Sequence, residues 1–312
     1  MDFGKLTNVE TVDFTLPADH PDTARFLASR TASREDGGAR DQARAPRVLL
    51  GCPRWADRGF RGRIYPPKTK QAEQLAAYAK SFDTIELNTT FYGVREELVG
   101  RWKAQVPGRF RFCPKIPKAI SHHRQLQNAE GEMERFVRAV SAFGDRLGPS
   151  WILLPPGFRP AQHGALRAFL DRWSAELELA VELRHEEWFA PANTSLLQET
   201  FAHFEETGTT AILTDVAGRR DVLHQRLTAN RAIVRFVGNR LHATDYARVD
   251  AWSERLAAWL DRGLGSVYLW LHQPEEALNV EIAERFATSL EARGIGARKP
   301  VRYDTKVQGE LF

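Results

Sequence analysis

The sequence LELAVELRH at residues 177–185 contains the pattern that decides the fold. Its nearly continuous run of apolar residues predicts a strand buried on both faces, with charged residues concentrated toward its carboxyl end. Seven other runs have the same character, and they begin at Arg47, Phe82, Phe110, Ser150, Thr209, Ala232 and Ser266. Segments with apolar residues three and four positions apart, such as QAEQLAAYAKSF and HGALRAFLDRW, separate most of these runs and predict amphipathic helices.

Eight strands that alternate with helices predict an α/β fold, a (β/α)8 barrel of the TIM type, formed by residues 47–293 as a single domain. A doubly wound open sheet is the alternative, but no glycine-rich phosphate loop follows the first strand. The segment between Ala217 and Arg231 has the weakest helical pattern of the crossovers. Residues 17–46 are rich in charge and poor in large apolar residues, so we expect residues 1–46 to form a largely flexible N-terminal extension, and residues 294–312 to form a short polar tail.

The composition is that of an ordinary globular protein. Of the 312 residues, 43% are hydrophobic and 27% are charged, which excludes wholesale disorder. The first residues lack the pattern of a secretion signal, no apolar run is long enough for a membrane helix, and Cys52 and Cys113 do not make a disulfide framework. We therefore expect a cytoplasmic protein without a membrane partner. The net charge of +4 mildly favours polyanionic partners, although a GC-rich genome would also explain the excess of arginine.

Ionisable side chains stand at the carboxyl ends of six of the eight predicted strands. Glu86 and Asn88 are two positions apart and therefore lie on one face, as do Glu182 and Arg184. The active site of a (β/α)8 barrel is built from the strand ends on this side. The predicted catalytic residues are Glu86, Lys115, His122, Glu182, His185 and Asp215. The predicted substrate-binding residues are Asn88, Tyr92, Arg184, Trp188, Arg235 and His272.

A ring of buried ion pairs that closes one mouth of the barrel is the structural alternative for these residues. An unpaired charge inside an apolar strand costs on the order of several kcal/mol. The active site and the ring of ion pairs therefore both require these side chains to contact one another. Asp215 alone could cap a following helix or turn, or pair with Arg235. His272 alone is typical of a solvated or core histidine, and Trp188 would either line a pocket or pack in the core.

Several segments within residues 48–291 carry a family resemblance: GCPRWADRGFRGRIYPP, IELNTTFYG, FCPKIPKAISHHRQL, LLPPGFRP and AVELRHEEWF. In combination they resemble the YecE-like family, also called domain of unknown function 72. The resemblance implies a TIM-type barrel and no established reaction. The family-like positions are Glu86, Asn88, Phe91, Tyr92, Lys115, Pro117, Ser121, His122, Glu182, Arg184, His185 and Trp188. The chain departs from the family pattern at Cys52–Arg54, at Val237 and in the segment LWLHQPEEALN around His272, which implies altered first, seventh and eighth loops.

The C-terminus carries a second signal. Gln308 followed by Leu311 and Phe312 is similar to the short peptides that dock on bacterial DNA sliding clamps. A flexible tail would present two large apolar side chains to a groove on such a partner. A tail that folds back onto the barrel is the alternative.

Three functional hypotheses follow. The first is a hydrolase or lyase for a phosphate-bearing or nucleic-acid substrate, in which Glu86 and Glu182 act as acid and base, or as ligands of a divalent metal, and basic residues hold phosphate. No tight metal-ligand spacing such as HxxxH appears in the sequence. The second is a metal-free carbohydrate enzyme that uses the same two glutamates. The third is a non-catalytic, DNA-associated binding module recruited through the C-terminal tail.

Overall fold

Nine short parallel strand segments form the centre of the molecule. The computed structural model describes residues 4–35 and 47–303, and the side chains of all of these except 31–35 and 47. The segments are β1 (Arg47–Cys52), β2 (Thr84–Leu87), β3 (Arg111–Pro114), β4 (Ser150–Leu153), β5 (Leu179–Glu182), β6 (Thr210–Ala211), β7 (Leu213–Asp215), β8 (Arg231–Val237) and β9 (Ser266–His272). Each of the eight predicted strands is present, the sixth as the pair β6 and β7.

The strands run in chain order around a ring. One parallel sheet has the order β3-β2-β1-β9-β8-β7, and a second has the order β4-β5-β6. Bridges between Phe112 and Leu147 and between Lys115 and Trp151 connect β3 to the β4 side. On the other side β6 and β7 are two parts of one strand interrupted at Ile212, whose amide donates to the Val181 carbonyl of β5. The α/β barrel predicted from the sequence is thereby confirmed.

Amphipathic helices cover the outside of the barrel. They are α1 (Pro21–Glu35), α2 (Gln74–Ser81), α3 (Glu96–Lys103), α4 (Glu130–Ser141), α5 (His163–Asp171), α6 (Thr194–Glu206), α7 (Ala243–Asp261) and α8 (Asn279–Glu291). The connection from β7 to β8 contains a single 3-10 turn at Arg220–Val222 and no α-helix. This is the crossover for which the sequence showed the weakest helical pattern.

Helix α1 packs beside this connection, although the sequence predicted a largely flexible extension. The Thr23 hydroxyl donates to the carbonyl of Gln225 and accepts from the amide of Leu227, so α1 is tied to the β7–β8 connection. Arg25 pairs with Glu205 of α6. Phe26 and Leu27 are buried in the hydrophobic core. Helix α1 therefore lies beside the crossover that has no α-helix of its own. This docked helix differs from the largely flexible extension predicted from the sequence.

The barrel interior changes from apolar to charged along the strands. An apolar layer fills its lower part with Leu49, Cys113, Trp151, Leu153, Ala180, Ile212, Ile233, Tyr268 and Trp270. Alternate residues of a strand point to the same face, so the next inward positions toward the carboxyl ends belong to a second layer. We call this the charged layer, and it consists of Glu86, Lys115, Glu182, Arg184, Arg235 and His272. Both layers lie inside the ring, and the charged layer faces the carboxyl-terminal mouth.

Candidate active site

Arg235 is the centre of the charged layer. Its Nη1 donates to both carboxylate oxygens of Glu182, at 2.9 Å each. Its Nε donates to Glu86 Oε2 at 3.2 Å, and Nη2 lies 3.3 Å from Glu86 Oε1. All three side chains are at most 1% exposed. One guanidinium therefore joins β2, β5 and β8 through two buried carboxylates.

Each glutamate has further partners. His272 Nε2 lies 2.6 Å from Glu86 Oε2 in a hydrogen bond. Glu182 Oε1 accepts from Arg184 Nε at 3.0 Å and from the Thr214 hydroxyl at 2.9 Å. Thr214 was missed in the sequence analysis, although strand alternation places it two residues after the core residue Ile212 and therefore on the inner face.

These contacts fix the ionisation of both glutamates. Burial alone would raise the pKa of Glu86, but Arg235 and His272 outweigh it and lower this pKa well below its usual value. Burial would also raise the pKa of Glu182, but the guanidinium groups of Arg184 and Arg235 outweigh it and lower this pKa. Both carboxylates are thus anionic at neutral pH, so neither has a proton to donate as a general acid.

Lys115 is the member of the charged layer that no carboxylate within residues 4–35 and 47–303 contacts. Its Nζ lies 3.5 Å from Asn88 Oδ1 and sits over two aromatic rings, 4.3 Å from the centroid of Phe91 and 4.7 Å from that of Trp151. No ion pair of Lys115 within 4 Å is found in the described part of the chain. Burial, together with Arg235 and Arg184, lowers the pKa of Lys115 to about 8.

Aromatic side chains and a neutral histidine surround the mouth above Lys115. Tyr92 is 77% exposed and packs edge-to-face with Phe91. The His122 ring lies 5.0 Å from that of Phe91, and its Nδ1 is 2.9 Å from the Ser121 hydroxyl. Partial burial and the charge of Lys115 lower the pKa of His122 to about 4, so the imidazole is neutral at pH 7. This rim could stack on a ligand and hydrogen-bond to it.

Three predicted site residues lie apart from the charged layer. Asp215 accepts from Arg248 and from the Trp252 indole of α7 and pairs with Arg220, so it is a structural anchor between strand and helix. Trp188 is fully buried and donates to the carbonyl of Phe158, as a core residue does. His185 accepts from the amide of Glu187 and caps a short 3-10 helix. The core alternative describes the contacts of Trp188. Asp215 forms buried ion pairs with Arg248 and Arg220, and neither the predicted cap nor the predicted pair with Arg235 is among its contacts in the described residues.

Glu276 is a candidate site residue that the sequence analysis passed over. It follows β9 in the loop QPEEALN, where no strand register marks a residue as inward. Arg54 Nε lies 3.2 Å from one carboxylate oxygen, and Asn279 Nδ2 donates to the other at 3.0 Å. Burial and the carboxylates of Asp57 and Glu86, partly offset by Arg54, raise the pKa of Glu276 to about 7. The signal for it was the departure of this loop and of Arg54 from the family pattern.

Three further predictions concern a bound metal ion, a membrane helix and the clamp-binding peptide. Within residues 4–35 and 47–303, no three His, Cys, Asp or Glu side chains come close enough together to hold a metal ion. The same residues contain no helix long and apolar enough to cross a membrane. Gln308, Leu311 and Phe312 lie outside the described residues, so the clamp-binding peptide stays a prediction.

A cavity of about 460 Å³ lies at the amino-terminal end of the barrel. It is lined by Val48, Asp83, Arg109 and Arg298, among others. Arg109 and Arg298 each donate through Nε to the same Asp83 oxygen at 2.9 Å. Since this end of a (β/α)8 barrel serves stability in most known cases, we assign this ion-pair group a structural role.

Together the ring of strands and the charged layer define a (β/α)8 barrel protein with a polar site at the carboxyl-terminal mouth. A family model described as "Protein of unknown function DUF72" matches residues 49–304. The chain therefore belongs to the DUF72 family, as the sequence segments indicated.

Other proteins are similar to this chain in sequence, and solved structures are similar to it in fold. The UPF0759 protein YecE of Escherichia coli is 29% identical over 253 residues, which cover 75% of this chain and 89% of that protein. The UPF0759 protein YunF of Bacillus subtilis is 25% identical over 155 residues, 46% of this chain and 53% of that protein. A DUF72 family protein from Enterococcus faecalis superimposes with a TM-score of 0.63 at 17% identity, over 78% of this chain and 95% of the other. One from Thermotoga maritima does so with a TM-score of 0.59 at 22% identity, over 78% and 99%.

Proposed function

We propose that the protein is an enzyme that binds a small phosphate-bearing substrate at the carboxyl-terminal mouth and acts on it by acid–base chemistry. The observation that carries the proposal is the setting of the Lys115 ammonium. No carboxylate of the described residues contacts it, because Glu86 and Glu182 bind the guanidinium groups of Arg235 and Arg184 instead.

An uncompensated cation in a buried site favours an anionic ligand. Electrostatic attraction is stronger where water is excluded, and a charge-assisted hydrogen bond from an ammonium to a phosphate oxygen is among the stronger ones. Trp151 closes the site from below, while Tyr92 and His122 lie at its rim. The site therefore offers a cation in an aromatic setting, next to solvent.

The groups suited to acid–base work are Lys115 and Glu276. A catalytic acid or base works best when its pKa is close to the operating pH. Burial and neighbouring charges bring the pKa of Lys115 down to about 8 and that of Glu276 up to about 7. Glu86 and Glu182 instead hold Arg235 in place, so they are positioning residues in this proposal.

This assignment favours a phosphate-bearing substrate over the alternatives. A carbohydrate enzyme of the paired-glutamate type needs one carboxyl group that can donate a proton. Glu86 and Glu182 do not fit that role, because the same guanidinium binds both and their pKa values are lowered. A nucleic-acid substrate or a DNA-associated partner would use the same cation, and we keep the DNA sliding clamp as a separate prediction that depends on the C-terminal tail.

Calorimetric titration with inorganic phosphate and with glucose 6-phosphate tests the proposal. Lys115→Met removes the uncompensated charge and keeps the length of the side chain between the two rings. We expect it to weaken binding of both ligands by about tenfold or more, the scale of one charge-assisted hydrogen bond. Lys118→Met is the matched control, because Lys118 lies three residues away over the ring of Tyr92. Equal affinities for the two variants would contradict the proposal.

A further inference from the structure

Lys115 has the surroundings of a reactive amine as well as those of an anion-binding cation. It follows β3 directly, and its Nζ lies over the rings of Phe91 and Trp151. Only 5% of the residue is exposed, yet it faces the mouth through which a substrate would arrive. Rings on two sides and Asn88 Oδ1 fix the position of the nitrogen.

The charged and titratable groups that face Lys115 come from several elements. They are Glu86 of β2, Glu182 at the end of β5, Arg184 two residues after it, Arg235 of β8 and His122 in the loop after β3. Burial and the two guanidinium groups lower the pKa of Lys115 to about 8, against the pull of the two carboxylates. At pH 7 about one molecule in ten then carries the free amine, compared with about one in 2,500 for a lysine of ordinary pKa. Lysines become nucleophiles in this way, through desolvation beside other cations.

We propose that Lys115 is a nucleophile that forms an iminium with a carbonyl substrate bearing an anionic group, such as a phosphorylated aldehyde or ketone. This inference rests on the proposed function, since the anionic group would bind at the same place, beside the ammonium of Lys115. It adds a covalent step to that function and specifies that the substrate is a carbonyl compound.

The step balances without any other reactant. The free amine attacks the carbonyl carbon, a C–N bond forms, and the electron pair of the C=O π bond goes to oxygen, which takes up a proton from the attacking nitrogen. The oxygen then receives the proton that the ammonium released on forming the free amine, and the nitrogen lone pair expels it as water. Overall, the ammonium and the carbonyl compound give the iminium and one water molecule, and the single positive charge is conserved. The iminium therefore still neutralises the anionic group of the substrate.

Reductive trapping tests the inference. Glycolaldehyde phosphate with sodium cyanoborohydride converts any iminium to a stable secondary amine, and peptide mass mapping locates it. The chain has nine lysines, so each site can be followed separately. We expect Lys115 to be labelled about tenfold faster than Lys118 at pH 7, because the lowered pKa of Lys115 supplies free amine at this pH and outweighs its low exposure.

Two variants separate this inference from the proposed function. Lys115→Arg keeps the positive charge and removes the nucleophile, so it should bind inorganic phosphate and take no label at position 115. Lys118→Arg should leave the labelling of Lys115 unchanged. Labelling led by Lys118 or other lysines, with phosphate binding intact, would overturn the nucleophile and leave the proposed function standing. Labelling of Lys115 that inorganic phosphate does not slow would support the nucleophile and count against the anion site.

Discussion

Replacing Arg235 with methionine tests the charged layer most severely. Methionine keeps an unbranched chain of similar reach and removes the guanidinium that binds both Glu86 and Glu182. Removing one partner of a buried ion pair costs about 3–5 kcal/mol, since the other charge stays buried. His272 and Arg184 still contact the two carboxylates, so we expect a loss of about 3 kcal/mol at neutral pH, the lower end of that range.

The pH dependence of this loss has a definite sign. In the wild type the pKa of both glutamates is lowered by folding, so their pairing stabilises the fold above the unfolded-state value of about 4.3 and is lost as the pH falls through the folded-state values. Without Arg235, burial dominates and raises both pKa values in the folded state. The variant then loses stability as the pH rises through those raised values.

Urea unfolding followed by tryptophan fluorescence at pH 5 and pH 8 measures both effects. Arg240→Met is the control, because Arg240 and Glu275 form an exposed pair whose loss should cost less than about 1 kcal/mol. The expected result is a larger destabilisation of Arg235→Met at pH 8 than at pH 5. A free energy of unfolding within about 1 kcal/mol of wild type at both pH values would refute a buried, ionised cluster.

Three further predictions concern other parts of the molecule. Leu27→Ala should lower the free energy of unfolding by about 2–5 kcal/mol, measured by urea denaturation, because Leu27 is buried in the core; no measurable loss would mean that α1 is not docked. Asp215→Asn should cost about 3 kcal/mol and leave phosphate affinity unchanged, since Asp215 contacts Arg248 and Trp252 outside the charged layer; weaker phosphate binding at unchanged stability would reverse that assignment. Sulfate affinity, measured by calorimetry, should fall as the pH rises through about 8 where Lys115 deprotonates, and the Lys115→Met variant should lack this fall.

Much of the fold could be predicted from sequence because parallel strands buried on both faces leave a strong apolar signal. Each of the eight runs became a strand, and the weakest crossover became a connection with only a 3-10 turn. The docking of α1 could not be predicted, since its charged sequence resembles a solvated segment. Among its described side chains, the apolar residues that reach the core are Phe26 and Leu27. A contact more than 200 residues distant in sequence, such as Thr23 with Gln225, leaves no local pattern.

The candidate site was predicted in part for a similar reason. Alternation along a strand correctly groups Glu86, Glu182 and Arg235 on the inner face. The position at a strand end alone misplaced Asp215, because this residue follows the inward Thr214 and therefore points outward to α7. Glu276 belongs to a loop, where neither period nor register indicates the direction of a side chain.

The most direct test of the central claim is the pKa of Lys115 with and without an anion. Carbon-13 labelling of the lysine side chains and an NMR titration of the Cε resonances give this value, with Lys115→Arg used to assign the signal. The account predicts a pKa of about 8 that rises when a phosphate-bearing ligand binds, because the ligand and the proton favour each other. A pKa of ordinary lysine value, unchanged by the ligand, would contradict the claim that a buried, uncompensated ammonium forms the substrate site.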